Sequence, residues 1–354
     1  MDGLHPLEVA AVDRLTDDAV AITFAVPPEL REVFAFRPGQ HLTLRHVLDG
    51  PDGMDGIDLR RTYSVCASAR SGPLRVAVKR LEGGAFSTWA CKELQVGDVV
   101  EVLPPAGRFG PEVAPDRQRR YGLVAAGSGI TPVLSIAATV LDVEPLSEVV
   151  LLFGNRTSRE VMFLEELSDL KDRYPQRLQL LWVMSREEQE SELLSGRIDG
   201  ERLTRLVEAF APVETVDEWY LCGPFGMVTD GADLLRKMGA RQVHVELFHA
   251  DAPPPRAPRV EDSLGATVVA VLHGRASTFE MPRGTSVLDA VLSVRGDAPY
   301  ACKGGVCGTC RARVTEGAVE MDVNWALEPD ELAAGVVLTC QSHPVTDRLE
   351  LEFL

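Results

Sequence analysis

The chain has 354 residues, 45% of them hydrophobic and 25% charged, with 36 Lys and Arg against 53 Asp and Glu. That length exceeds one ordinary hydrophobic core and predicts two or three domains. The net charge of −17 excludes nucleic acid and anionic membrane as main partners and leaves a basic protein surface as a suitable one.

Residues 1–115 read as β-structure: short apolar runs at 20–26, 41–44, 62–67, 74–78 and 99–103 are separated by Pro-Gly, Ser-Gly, Gly-Gly and Gly-Asp turn signals. Strands at such intervals predict a small antiparallel barrel. Arg61-Thr62-Tyr63-Ser64 leads into the 62–67 run. The arginine suits a phosphate, the tyrosine on the same face suits stacking on a planar ring, and the serine hydroxyl suits a ring nitrogen. A surface strand with a tyrosine is the plainer alternative. Downstream, Val78-Lys79 leads through a glycine turn to Gly84-Ala85-Phe86-Ser87, where a helix expected to open at Ser87 offers its N-terminus to a pyrophosphate.

Residues 116–250 change to alternating strands (123–126, 149–153, 178–183, 219–221, 243–245) and helices (132–140, 159–172, 201–209, 225–238), which predicts a parallel sheet covered on both faces. The uncharged stretch 121–141 is long enough to span a bilayer, but Gly127, Gly129 and Pro132 interrupt it, so strand, turn and buried helix is the reading. Gly127-Ser128-Gly129-Ile130-Thr131-Pro132 stands where a dinucleotide-binding turn would, although proline replaces the third glycine of that fingerprint. After the second strand, Arg156, Ser158 and Arg159 suit a ribose 2′-phosphate and favour NADPH over NADH. Cys222-Gly223-Pro224 ends the 219–221 strand beside the expected nicotinamide, with a buried structural cysteine as the alternative. Glu246 and Phe248 close the domain, placed either to face the rings or to make an ordinary strand-end contact.

Four prolines within 253–258 make 251–262 a stiff, extended linker. Residues 263–354 form the last unit, with strands at 267–272 and 349–353 and a helix over 287–292 capped by Ser286. Here lies the strongest signal: Cys302, Cys307 and Cys310, then Cys340, give C-x4-C-x2-C…C, the spacing of plant-type [2Fe–2S] ferredoxins. Gly304, Gly305 and Gly308 let the backbone curl so that three thiolates converge. A zinc knuckle normally needs two C-x2-C units, and only one is present. Cys66 and Cys91 read as plain core residues. Bunched cysteines, with no basic-then-apolar leader in residues 1–18, predict a reducing, cytoplasmic setting. Glu320, Asp322, Glu328, Asp330 and Glu331 fall between the cysteine loop and Cys340, an acidic segment suited to a basic docking partner.

In order, Arg-x-Tyr-Ser, Gly-x-Gly-x-Thr-Pro and Cys-Gly-Pro resemble the ferredoxin–NADP reductase superfamily. With the C-terminal cysteine pattern, the chain is similar over nearly its whole length to the fused reductase components of bacterial oxygenases. The resemblance implies an α+β multidomain fold: an antiparallel β-barrel flavin domain (1–115), an α/β parallel-sheet nucleotide domain (116–250) and a β-grasp ferredoxin domain (263–354). It implies FAD rather than FMN, and an electron relay from NADPH through FAD and the cluster to an oxygenase. Ser64, Cys222 and Glu246 would then face the reacting rings. Val78, Lys79 and Gly84 to Ser87 would join Arg61 and Tyr63 around the flavin. Gly127, Gly129, Thr131, Gly223 and Pro224 would place the pyridine nucleotide. A non-catalytic redox sensor is the reading from another class, and a sensor needs no nicotinamide site beside its flavin.

Overall fold

The computed structural model describes residues 3–48, 56–248, 265–281 and 284–354, and the expected linker at 251–262 lies outside them. The chain divides into two compact units, one built of His5–Leu59 and Tyr63–Phe248 and the other carried chiefly by residues 265–354.

The first unit opens with a six-stranded sheet in the order β4-β3-β6-β1-β2-β5. Its strands are β1 (His5–Thr16), β2 (Ala19–Ala25), β3 (His41–Leu48), β4 (Ile57–Ser64), β5 (Arg75–Lys79) and β6 (Val99–Val102). Val65, just past β4, bridges Val76 of β5, so the two ends of the sheet meet and a barrel closes. Leu7, Val9, Ile22, Leu42, Leu44, Val76 and Val102 fill it at no more than 1% exposure. Closure also removes the edges on which another chain would pair. The helix α1 (Ala85–Lys92) packs Phe86 and Ala90 into this core.

The second sheet is parallel throughout, in the order β11-β10-β7-β8-β9. It comprises β7 (Arg120–Ala126), β8 (Glu148–Asn155), β9 (Leu178–Met184), β10 (Glu218–Cys222) and β11 (Val243–Glu246), joined through α2 (Ile130–Val143), α3 (Leu164–Arg173), α4 (Gly200–Phe210) and α5 (Phe225–Lys237). The chain runs outward from β7 to β9, then returns to β10 on the other side of β7. That reversal opens a crevice at the carboxyl ends of β7 and β10, where such sheets bind ligands. The uncharged stretch 121–141 is β7 running into α2, and among the described residues no helix is long and apolar enough to cross a membrane.

Barrel and parallel sheet share one apolar cluster, in which Ala21, Cys66, Ala77 and Phe109 pack with Ile130, Val133 and Tyr220. The Asp142 carboxylate fastens them further. It accepts hydrogen bonds from Ser68 (2.7 Å), Ser71 (2.6 Å) and Tyr174 (2.8 Å). Burial alone would raise its pKa, but these donors outweigh it and hold Asp142 below the ordinary value.

The second unit is a mixed sheet, β13-β12-β18-β14-β16, with the small pair β15-β17 beside it. Its strands are β12 (Ala266–Leu272), β13 (Arg275–Met281), β14 (Arg311–Glu316), β15 (Val319–Met321), β16 (Val336–Leu338), β17 (Ser342–Pro344) and β18 (Arg348–Phe353). The parallel β12–β18 pair with α6 (Val287–Val294) packed into one core is the β-grasp arrangement expected. Ser286 caps α6 as expected, accepting from the Asp289 N–H at 3.1 Å.

Three local expectations change. The helix expected from Arg159 begins at Leu164, because Val161 is extended and Phe163 is left-handed (φ 60°), which tucks Val161, Met162 and Phe163 into the core. The helix expected at Ser87 begins at Ala85, with Gly84 at its N-cap. The helix expected from Pro132 begins at Ile130, and Gly127–Gly129 forms a 3-10 turn leading into it.

Candidate functional site

The cysteine loop builds one site. Lys303 (φ 51°), Gly305 (φ 76°) and Gly308 (φ 65°) are left-handed, so the chain curls as three converging thiols require. At Gly305 a Cβ would come within 2.9 Å of Val323 Cγ2, so only glycine lets the 320s segment close over the loop. The Trp325 N–H, donating to the Gly305 carbonyl at 3.1 Å, ties it there.

The thiols fall into two hydrogen-bonded pairs, Cys302 with Cys307 and Cys310 with Cys340. The Cys307 contact, with backbone N–H groups of Gly304, Val306 and Cys307, lowers Cys302 to about 5. Cys310, with Gln341 and the Gly305 N–H, likewise lowers Cys340. Their partners Cys307 and Cys310 are raised correspondingly. Among the described residues no three His, Cys, Asp or Glu side chains are grouped to hold one metal ion. Four cysteines in two pairs, with N–H donors turned toward sulfur, fit a two-iron cluster better than a mononuclear zinc.

The crevice at the switch point builds the other site. At Gly129 a Cβ would stand 2.2 Å from the Cys222 carbonyl oxygen, so the turn after β7 presses against the end of β10, an approach only glycine permits. Cys222 and Glu246 are paired neighbours on β10 and β11. Ser64 Oγ donates to Glu246 Oε2 at 2.9 Å, reaching from the barrel to the sheet. His41 Nδ1 lies 4.0 Å from Glu246 Oε1. Burial pushes the Glu246 carboxyl up to about 7 against the opposing Ser64 hydrogen bond, and burial with the Glu246 charge pushes the Cys222 thiol well up. Ser64, Cys222 and Glu246 therefore do come together. His41 is the member that sequence reasoning missed, since a lone histidine at a strand start carries no spacing signal.

Other expected residues are placed more locally. Tyr63 packs at 5.5 Å from Phe86 in the barrel core. The Ser87 hydroxyl accepts from the Leu81 N–H and donates to the Gly84 carbonyl, both at 3.1 Å, so it closes the turn. What α1 offers an anion is its first-turn N–H groups at Ala85, Phe86 and Ser87. Val78 is fully buried, and Lys79 pairs with Asp18 at 3.4 Å. Thr131 Oγ1 donates to the Ser128 carbonyl at 3.1 Å, bracing the turn.

Three domain families match in chain order: the oxidoreductase FAD-binding domain over residues 6–110, the oxidoreductase NAD-binding domain over 123–233 and the 2Fe-2S iron-sulfur cluster binding domain over 270–345. The chain is 46% identical over 356 residues to a subunit of the 1,2-phenylacetyl-CoA epoxidase of Escherichia coli (strain K12), covering 100% of this chain and 98% of that one. The chain belongs to the oxygenase-reductase family of fused flavin and [2Fe–2S] proteins. It is 37% identical to the ferredoxin reductase component of the 3-ketosteroid-9-alpha-monooxygenase of Rhodococcus rhodochrous, covering 98% and 96% of the two chains. The fold is shared with phthalate dioxygenase reductase at a TM-score of 0.59 and 23% identity, over 99% and 98% of the chains. This reductase is thus an oxidoreductase with FAD, pyridine-nucleotide and [2Fe–2S] domains, delivering electrons to an oxygenase.

Two surface features of the reductase follow from the geometry. At the end of β8, Arg156 is 62% exposed and 3.9 Å from Glu160. The parallel neighbour β9 brings Arg186 alongside, its N–H donating to the Arg156 carbonyl at 2.8 Å, while the Ser158 N–H donates to Glu187 at 2.8 Å. Arg186, a basic residue two positions past the apolar strand β9, is the sequence signal for it. In the acidic segment, Glu331 is buried against Arg311 (3.4 Å) and Asp322 pairs with His343 (3.1 Å). Glu320, Asp322 and Asp330 are the exposed residues of the five.

Proposed function

We propose that the oxygenase served is a phenylacetyl-CoA epoxidase of phenylacetate catabolism, with NADPH as electron donor and the cytosol as the compartment. The observation that carries the partner is the 46% identity, along the full length of both chains, to one component of such an epoxidase. Its test is reconstitution: purified reductase, NADPH and the epoxidase catalytic subunits should consume phenylacetyl-CoA. Turnover with a ketosteroid oxygenase and none with the epoxidase would transfer the assignment to the second relative. Seven cysteines free of disulfides accord with a reducing compartment.

When bound, FAD accepts two electrons together and gives them up singly, and the cluster carries one at a time. The chain's residues arrange the rest. Arg61 and the α1 N-terminus would hold the pyrophosphate, Tyr63 would stack on the ring system, and Ser64, its hydroxyl proton on Glu246, would border the ring edge. Gly127, Gly129 and Thr131 shape the turn under the nucleotide, and Cys222, Gly223 and Pro224 border the nicotinamide. Arg156, Ser158 and Arg159, with Arg186, read the 2′-phosphate. Cys302, Cys307, Cys310 and Cys340 ligate iron.

Glu246 gives this arrangement a pH signature. Its carboxyl, raised to about 7, is neutral below that pH and ionised above it. With the flavin bound beside it, an ionised Glu246 would oppose the negative charge that a hydride brings. The flavin-reduction rate should therefore fall as pH rises through about 7, and Glu246→Gln should flatten that profile. Stopped-flow rates from pH 6 to 8.5 check it, and an unchanged inflection in the variant would assign it to another group.

A further inference from the structure

The residue after the fourth cysteine, Gln341, is held at its root by both backbone groups. Its N–H donates to the Leu338 carbonyl at 2.9 Å and its carbonyl accepts the Asp322 N–H at 2.8 Å. From there the side-chain amide turns onto the cysteine loop. Nε2 donates to the Lys303 carbonyl at 2.9 Å and the Cys340 carbonyl at 3.1 Å, and it lies 3.6 Å from Cys340 Sγ. Two N–H groups thus serve three acceptors, one of them a ligand sulfur. The loop makes room for this side chain: a Cβ on Gly305 would meet Gln341 Cγ at 3.1 Å.

The outer thiols of the two pairs are served differently. Cys302 Sγ receives the Gly304 backbone N–H at 3.3 Å, a donor every residue but proline would supply. For Cys340 the side-chain donor belongs to Gln341, and a substitution can remove it. Lys303, whose carbonyl takes the same amide, immediately follows Cys302, so one side chain spans the two ends of the ligand set.

We propose that Gln341 is a positioning residue of the electron relay, setting the cluster's reduction potential through Cys340 Sγ and latching the Cys302 end of the loop to the Cys340 end. One-electron reduction adds one negative charge to the cluster and its thiolates and moves no proton. An N–H donor at a ligand sulfur stabilises the more negative state, so its presence makes reduction easier. The donor is neutral, so the effect requires no titration.

The test is a redox titration of the full-length, flavin-loaded protein followed by the cluster's electron paramagnetic resonance signal. Gln341→Met keeps the size and removes the donor. Its reduction equilibrium should weaken about tenfold, a shift of about 59 mV to more negative potential. Gln341→Glu keeps the shape and exchanges the donor for a carboxylate, and its potential should fall further. Gln341→Lys restores a donor and should recover at least the original potential. Iron and labile sulfide should stay at about two each per chain in all three. A Met variant titrating with the original protein would overturn the proposal, as would one shifted to less negative potential. If the Met variant holds less iron, Gln341→Glu carries the same test, and an unchanged potential there overturns the proposal equally. Zinc in place of iron in the parent protein would instead overturn the cluster itself.

Discussion

Cys307→Ser should lose the cluster's absorbance and paramagnetic signal while its flavin is still reduced by NADPH at the original rate. Cys307 is 9% exposed and its thiol is paired with Cys302, so the substitution removes one of the four thiols that the loop brings together. A serine oxygen is a hard, weakly acidic donor where iron–sulfur assembly requires a soft thiolate. The nucleotide residues, with Tyr63, Ser64 and the first turn of α1, belong to the other compact unit, whose barrel and parallel sheet are joined through their own apolar cluster and Asp142. Electron delivery to the oxygenase should therefore fall to background, while reduction of a flavin-level acceptor such as ferricyanide persists. Loss of flavin reduction in a folded, flavin-loaded variant would contradict this division of labour.

The cluster was legible in the sequence because its chemistry is local: three cysteines in nine residues, with the glycines that let them converge, are visible without a fold. The parallel sheet was legible for a related reason, since its strands are apolar runs buried on both faces and its helices fill the intervals. The long first strand was not. In β1 the inward residues Leu7 and Val9 are followed by a register shift between Val9 and Ala11, so the alternation that marks a strand breaks part-way. The flavin-side site was legible as separate motifs but not as a cluster. Ser64 meets Glu246, and His41 approaches it, only because the barrel docks on the carboxyl end of the sheet. The same limit applied to Ser87. Its position near a glycine turn suggested a phosphate ligand, and only the folded turn shows the hydroxyl closed onto Leu81 and Gly84.

Arg156→Ala with Arg159→Ala should weaken NADPH far more than NADH. A hydrogen bond between charged groups contributes about 1.5–3 kcal/mol, and the 62% exposure of Arg156 places it at the lower end. That amounts to about tenfold for each guanidinium, and about a hundredfold in the NADPH-to-NADH ratio for the pair if the two act independently. The Glu187 carboxylate on the Ser158 N–H works in the opposite direction, because a 2′-phosphate arriving there meets a like charge. Glu187→Gln should accordingly shift the ratio toward NADPH. Steady-state kcat/KM for both nucleotides decides the matter. Equal losses with NADPH and NADH in the double variant would show that these arginines do not read the 2′-phosphate.

Electrons are expected to follow one path through three domains, and rapid mixing with NADPH under anaerobic conditions follows it directly. The flavin band should bleach first, and the paramagnetic signal of a one-electron-reduced [2Fe–2S] cluster should then rise at a rate independent of protein concentration, because donor and acceptor share one chain. A flavin that bleaches while the cluster signal never appears would contradict the relay.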